Sequence, residues 1–202
     1  MTDQLTNRLN QILPKITSNE FLAGSGIGNE IAFHIFDYPP EDELRVRAHI
    51  EFLLEHIPKR KPGLRVKHVN LFDFVLEVLK GKKILDKSLE LQRERGDAAL
   101  LRALKGVLNE GNIARHFGDT AEPDKNDLVL LSGVGNAYPL LRSHTLLNNL
   151  HSIMGQTPLV MFYPGKYDQT SLKLFGKSGT TGSAHHGSAR SANYYRAFRL
   201  VD

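Results

Sequence analysis

The chain has 202 residues, 41% of them hydrophobic, with 26 Lys and Arg against 22 Asp and Glu for a formal net charge of +4. That length can bury one substantial core and leaves room for an appended subdomain. There is no cysteine, which excludes disulfides and thiolate metal sites. No stretch approaches the roughly 20 apolar residues of a membrane helix, and the first residues lack a signal-peptide pattern, so a cytoplasmic protein is expected.

Taken in order, residues 3–13 read as an amphipathic helix with Leu5, Leu9, Ile12 and Leu13 on one side, and Pro14 should break or end it. Gly24, Gly26 and Gly28 invite a phosphate-loop reading, but they precede the apolar strand of residues 31–37. Anion-binding loops instead lie between a strand and the helix after it, so the reading is rejected. Glu41, Asp42 and Glu43 suit the positive end of a helix whose buried face is Val46, Ile50, Leu53, Leu54 and Ile57. Residues 64–69 read as a second strand and residues 71–79 as a helix start, with Gly81 interrupting it. Two charged helices follow, about 84–95 and 98–117, and residues 82–118 form a helical insertion. A polar loop, residues 119–126, leads into the strongest signal in the chain.

That signal is a buried strand, Leu128 to Leu131, then Gly133-Val134-Gly135, then an amphipathic helix with Pro139 in its first turn. Its buried stripe is Leu140, Leu147, Leu150 and Met154, with Leu146 and Ile153 beside it. A strand, a glycine turn and a helix are half of the unit that commonly frames a phosphate pocket. Residues 158–163 are a further strand, ending at Pro164-Gly165-Lys166-Tyr167 on the same edge as the glycine turn if the two strands are parallel. Residues 172–175 follow. Residues 176–191 form a flexible loop of glycine, serine and histidine, and residues 193–201 a last strand. The expected fold is one α/β domain over residues 1–202, with a mostly parallel central sheet of about five strands flanked by helices.

The chemical patterns are thin. Gly133-Val134-Gly135 lacks the third glycine of a dinucleotide fingerprint, where Tyr138 stands. The plain alternative is a turn that needs a positive backbone angle or a close packing contact. Gly176-Lys177-Ser178 has Ser171 where a phosphate loop needs glycine, and Ser132 is not flanked as a nucleophile elbow requires. Arg142, near a helix start, could grip a phosphate or carboxylate, anchor an interface, or pair with an acid such as Asp37. His144 and His151 are seven apart, too far for a helical zinc pair, so no metal and no cofactor are expected. Residues 166–199 carry six cations against one acid, Asp168. The preferred reading is a solvated loop, and the alternative a surface for nucleic acid or an acidic partner.

Several stretches together resemble one family: Gly26-Ile27-Gly28-Asn29-Glu30, Ile35-Phe36-Asp37-Tyr38, Gly133-Val134-Gly135, Tyr138 to His144 with Leu147-Asn148, Phe162-Tyr163-Pro164-Gly165, and Tyr194 to Phe198. Over nearly the whole chain it is similar to BrxB, a small component of bacteriophage exclusion (BREX) systems. The resemblance implies a role in phage defence beside an adenine methyltransferase, a large ATPase and PglZ, an alkaline-phosphatase-like protein. It implies no established activity and no catalytic residues. Expected, then, is a non-catalytic scaffold or adaptor that assembles with other BREX proteins, PglZ first among them, and that also forms a homodimer. Its contact surface would include Gly133, Gly135, Arg142, His144, Pro164, Gly165 and Tyr167. The rival expectations are a nucleotide- or phosphate-binding regulatory domain at the Gly133 turn, or a nucleic-acid-binding module working through the basic C-terminal region.

Overall fold

The computed structural model describes residues 3–23, 33–169, 171–175 and 197–202. The expected glycine-rich turn at Gly24, the loop of residues 176–191 and the start of the last strand lie outside them. Helix α1 (Gln4–Ile16) begins at Asp3, whose carboxylate accepts the Thr6 N–H at 2.7 Å. It does not stop at Pro14. Proline deletes one donor near the helix end, and the fully buried Ile12 and Ile16 hold the last turn in place. A single turn, α2 (Asn19–Leu22), follows, capped by Ser18.

The sheet is built from β1 (Phe33–Tyr38), β2 (Val66–Asn70), β3 (Leu128–Ser132), β4 (Leu159–Tyr167), β5 (Leu172–Leu174) and β6 (Ala197–Arg199). Its order is β2-β3-β4-β1-β6, parallel throughout, with β5 antiparallel on the far half of β4. This is the expected α/β class. A parallel sheet is covered on both faces, so its strands read as continuous apolar runs. In β3, Leu128 and Leu130 pack with one core and Val129 and Leu131 with the other, all fully buried.

One face carries α1, α2 and α3 (Glu43–Arg60), whose Val46, Ile50, Leu53 and Ile57 are buried as the spacing predicts. The other carries α4 (Leu71–Gly81), α5 (Leu85–Leu104), α6 (Glu110–Ala121), α7 (Val134–Ala137) and α8 (Ser143–Met154). Here several expected boundaries move. The helix expected over residues 98–117 is two pieces: one ends with α5 and the next begins after Asn109, which caps α6 by accepting the Asn112 N–H at 3.0 Å. Gly96, at φ 74° and ψ 177°, breaks α5 internally, where the sequence places a division. Helix α6 runs on to Ala121, past the expected loop start at Asp119, and ends at Glu122 in a left-handed conformation.

The helix after the glycine turn also starts later than expected. Pro139 is not in its first turn but in a linker between α7 and α8. The residue before a proline is pushed out of the helical region, and Tyr138 is extended, at φ −74° and ψ 137°. Leu140 therefore packs from the linker, while Leu146, Leu147, Leu150 and Met154 form the buried stripe of α8. Strand β4, expected to end at Tyr163, continues through Pro164 to Tyr167. Its last residues pair with β5, and the Pro164 carbonyl accepts the Phe175 N–H at 3.0 Å.

Candidate functional site

Parallel strands end together, and helices that follow them start there, so the carboxyl edge of the sheet gathers the loops able to do chemistry. The predicted residues all belong to this side of the fold, but they separate into three places. Gly133, Gly135 and Pro164 form a packed corner. Gly165 lines a cleft at the end of β1, and the buried Tyr167 donates its N–H to Asp37 there. Arg142 lines a trough beyond the linker. His144 sits in the first turn of α8, with its side chain outside the described part of the structure.

At the corner the glycines are accounted for by packing. Gly133 has φ 71°, and a Cβ there would lie 2.2 Å from Asn70 Oδ1. That oxygen caps α4, accepting the N–H groups of Phe72 at 3.0 Å and Asp73 at 3.4 Å. Gly135 lets Pro164 and Phe175 approach to 3.0 and 3.2 Å of where a Cβ would be, and a Cβ at Gly165 would lie 2.2 Å from the Lys173 carbonyl oxygen. Gly133→Ala should thus strain the left-handed backbone and dislodge the Asn70 cap together, lowering stability by roughly 2–3 kcal/mol in urea unfolding. A loss under about 0.5 kcal/mol would mean that the turn is not held by this contact.

Beside the corner, Ser132 Oγ lies 2.8 Å from His68 Nε2, linking β3 to the edge strand β2. This pair is not legible in the sequence, because only the strand order brings residues 64 apart into register, His68 opposite Leu130. Burial holds the His68 pKa below its usual value, partly offset by the Asp73 charge. A nucleophile needs open space over its oxygen and an acid on the far ring nitrogen. Ser132 is buried, neither residue lines the trough or the cleft, and among the described residues no carboxylate bonds His68. The pair is a polar clasp between strands.

The cleft, about 640 Å³, opens at the end of β1, where the connections from β1 and β3 leave for opposite faces of the sheet. In doubly wound folds such a switch point holds the ligand. Here the chain's own groups line it and pair with one another. Asp37 accepts Arg8 Nη2 at 2.9 Å and the Tyr167 N–H at 3.0 Å, with Arg199 Nη2 at 3.9 Å. Arg8 also donates to the carbonyls of Asp37 (2.7 Å) and Val201 (3.3 Å), and its guanidinium lies over the Phe36 ring. Arg199 donates to the Tyr167 carbonyl, and the Tyr167 hydroxyl to that of Ala197 at 2.6 Å. Asp37 is therefore the partner of Arg8 and Arg199, not of Arg142. At the rim Arg45 is held by Asp3 and Asp42. Of the four cations that line the cleft, Arg8, Arg45 and Arg199 are paired with carboxylates; Lys166 has no ion-pair partner among the described residues, but five acids line the same cleft.

The trough is different. It measures about 800 Å³ and runs between the α5–α6 junction and the linker into α8. Leu104, Leu108, Ile113, Leu141 and Leu146 make its floor. Its two charged lining residues are cations, Lys105 and Arg142, both exposed and, among the described residues, without an ion-pair partner. Arg142 is also the residue from which α8 starts, with no side-chain cap and no acid in the first turn. The positive end of that helix adds to the same field. Such a surface favours an apolar group that carries negative charge.

Among the described residues no group of three His, Asp or Glu comes together as a metal site, and no helix is long and apolar enough to cross a membrane. A family model described as BREX protein BrxB matches residues 67–200. The BREX protein BrxB of Bacillus cereus (strain H3081.97) is 39% identical over 203 residues, spanning 98% of this chain and 98% of its own. That of Escherichia coli O9:H4 (strain HS) is 38% identical over 197 residues, spanning 98% of this chain and 92% of its own. No solved structure matches the chain. Two relatives at this identity over nearly the full length leave one assignment: the chain belongs to the BrxB family of BREX defence proteins.

Proposed function

We propose that the chain acts in BREX defence as a non-catalytic cytoplasmic adaptor, docking other BREX proteins, with PglZ as the first expected partner, through the carboxyl edge of its sheet. The observation that carries this reading is the contrast between the two openings on that edge. The cleft at the switch point is lined by more acids than cations, and three of its four cations, Arg8, Arg45 and Arg199, are paired with carboxylates there, which disfavours a small anionic ligand. The trough offers apolar floor and two unneutralised cations, the composition of a protein-docking surface.

The test is a pull-down of the tagged protein from cells carrying the whole defence operon. Arg142→Ala should lower recovery of the partner by about tenfold, the effect of removing an interface arginine. Arg142 is exposed, so the circular-dichroism melt should stay within a degree or so of the parent. Equal recovery from both proteins defeats the reading.

A further inference from the structure

The trough has a complement on the same chain. Strand β1 leads through a short turn, Pro40–Asp42, into α3, and the sequence there is Glu41-Asp42-Glu43-Leu44. Leu44 is 76% exposed, more than any other large hydrophobic residue described. Asp42 is engaged by Arg45, and Glu43 by Arg47 and the Tyr38 hydroxyl. Glu41 stands at the rim of the cleft, is exposed and, among the described residues, has no ion-pair partner. The result is a projecting leucine three residues from an open carboxylate. The trough presents the matching features, an apolar floor between two open cations.

The fold sets these features on one edge. Helix α3 follows β1, so residues 41–44 lie at the carboxyl end of the sheet. Helices α6 and α8 each lead back to the start of a parallel strand, which puts their first turns, and the trough between them, at that same end. The two features sit on opposite faces: α3 packs with one core, α6 and α8 with the other. No residue from 38 to 45 lines the trough.

We propose that two copies of this chain associate through the carboxyl edge, with Leu44 and Glu41 of each copy entering the trough of the other, against Lys105 and Arg142. A twofold axis past that edge makes the two contacts equivalent and closes the pair. Two such contacts also double the area over which apolar surface is covered, which matters because stable interfaces bury roughly 1,200–2,000 Å² in all.

The experiment is sedimentation equilibrium of the purified full chain from low to high micromolar concentration. The wild type should form dimers, more weakly in raised salt, since the charges meet at a solvent-accessible rim. Leu44→Glu and Arg142→Glu change opposite surfaces, both exposed, and each should raise the dissociation constant by about tenfold or more with an unaltered melt. The double variant Glu41→Arg with Arg142→Glu should recover part of the loss. A wild type that stays monomeric throughout overturns the proposal. So does a dimer weakened by Arg142→Glu but indifferent to Leu44→Glu, which would mean that the trough holds another segment. A partner and a second copy would compete for the trough, so the adaptor reading is tested separately: Leu44→Glu leaves the trough intact and should lose dimers in sedimentation while partner recovery in the pull-down stays equal or rises.

Discussion

Replacing Asp37 with alanine should cost about 4 kcal/mol of stability and lower the melting temperature by about 10 °C. The Asp37 and Arg8 side chains are only 13% and 14% exposed. Removing the carboxylate leaves the Arg8 guanidinium in a partly buried site without its counter-charge, and the Tyr167 N–H without its acceptor. Unpaired buried groups are costly because water no longer reaches them to replace the lost partner. Arg8→Ala should cost a similar amount, and the two changes together much less than their sum, because either one already dissolves the pair. Asp37→Asn tests the geometry more finely. One amide oxygen can accept from Arg8, but the NH₂ group would then face the Tyr167 donor, so an intermediate loss is expected. Urea unfolding measures all four proteins. An Asp37→Ala loss under about 1 kcal/mol would show that this network does not hold the edge together.

A second large effect should appear on acidification. His34, in β1, packs its ring 4.6 Å from that of Phe21 and 6.0 Å from that of Phe198, and its buried Nδ1 has no hydrogen-bond partner among the described residues. Burial, with a smaller contribution from the Lys15 charge, pushes its pKa down from 6.5 to about 4. Because the folded-state value is the lower one, the unfolded chain binds the proton more readily. Stability is then fully present above pH 6.5 and falls as pH drops from 6.5 through 4. A tenfold difference in proton affinity corresponds to about 1.4 kcal/mol, so His34 alone should remove about 3 kcal/mol over that window. His49 and His68, also held below their ordinary values by burial, act in the same direction. His34→Leu should keep the fold at pH 7 and flatten the fall by about that amount. An equally steep pH dependence in the variant would show that acid lability comes from elsewhere.

What the sequence made legible follows from how local each signal is. Strand β3 stands out because both its faces are buried, which leaves four consecutive aliphatics with no polar alternation. The stripes of α3 and α8 are visible because a helix repeats within a few residues. The order of the strands is not local: nothing in residues 33–38 says that their neighbours will be residues 159–164 and 197–199. The Arg8–Asp37–Arg199 network and the Ser132–His68 clasp depend on that order, so they could not be read in advance. The glycine turn shows the opposite difficulty. A phosphate loop and a tight corner need the same residue type, and only the position of Asn70 against Gly133 shows that the angle and the missing Cβ have a packing cause. Arg142 was legible as a helix-start cation, but Leu101, Leu104, Leu108 and Ile113, which share the trough with it, lie more than 25 residues earlier in the chain.

The interior position of β1 has a kinetic consequence. Among the described strands it comes first in the chain and pairs with two that lie more than a hundred residues downstream, whereas β2 and β3 pair with each other and β3 with β4. Closing so long a loop is entropically slow. A nascent chain can therefore assemble the β2–β3–β4 half early, while an apolar ribbon near its beginning waits with both edges bare. Insertion of that ribbon should be the late step of folding, and until then it is the segment most exposed to pairing with the wrong chain.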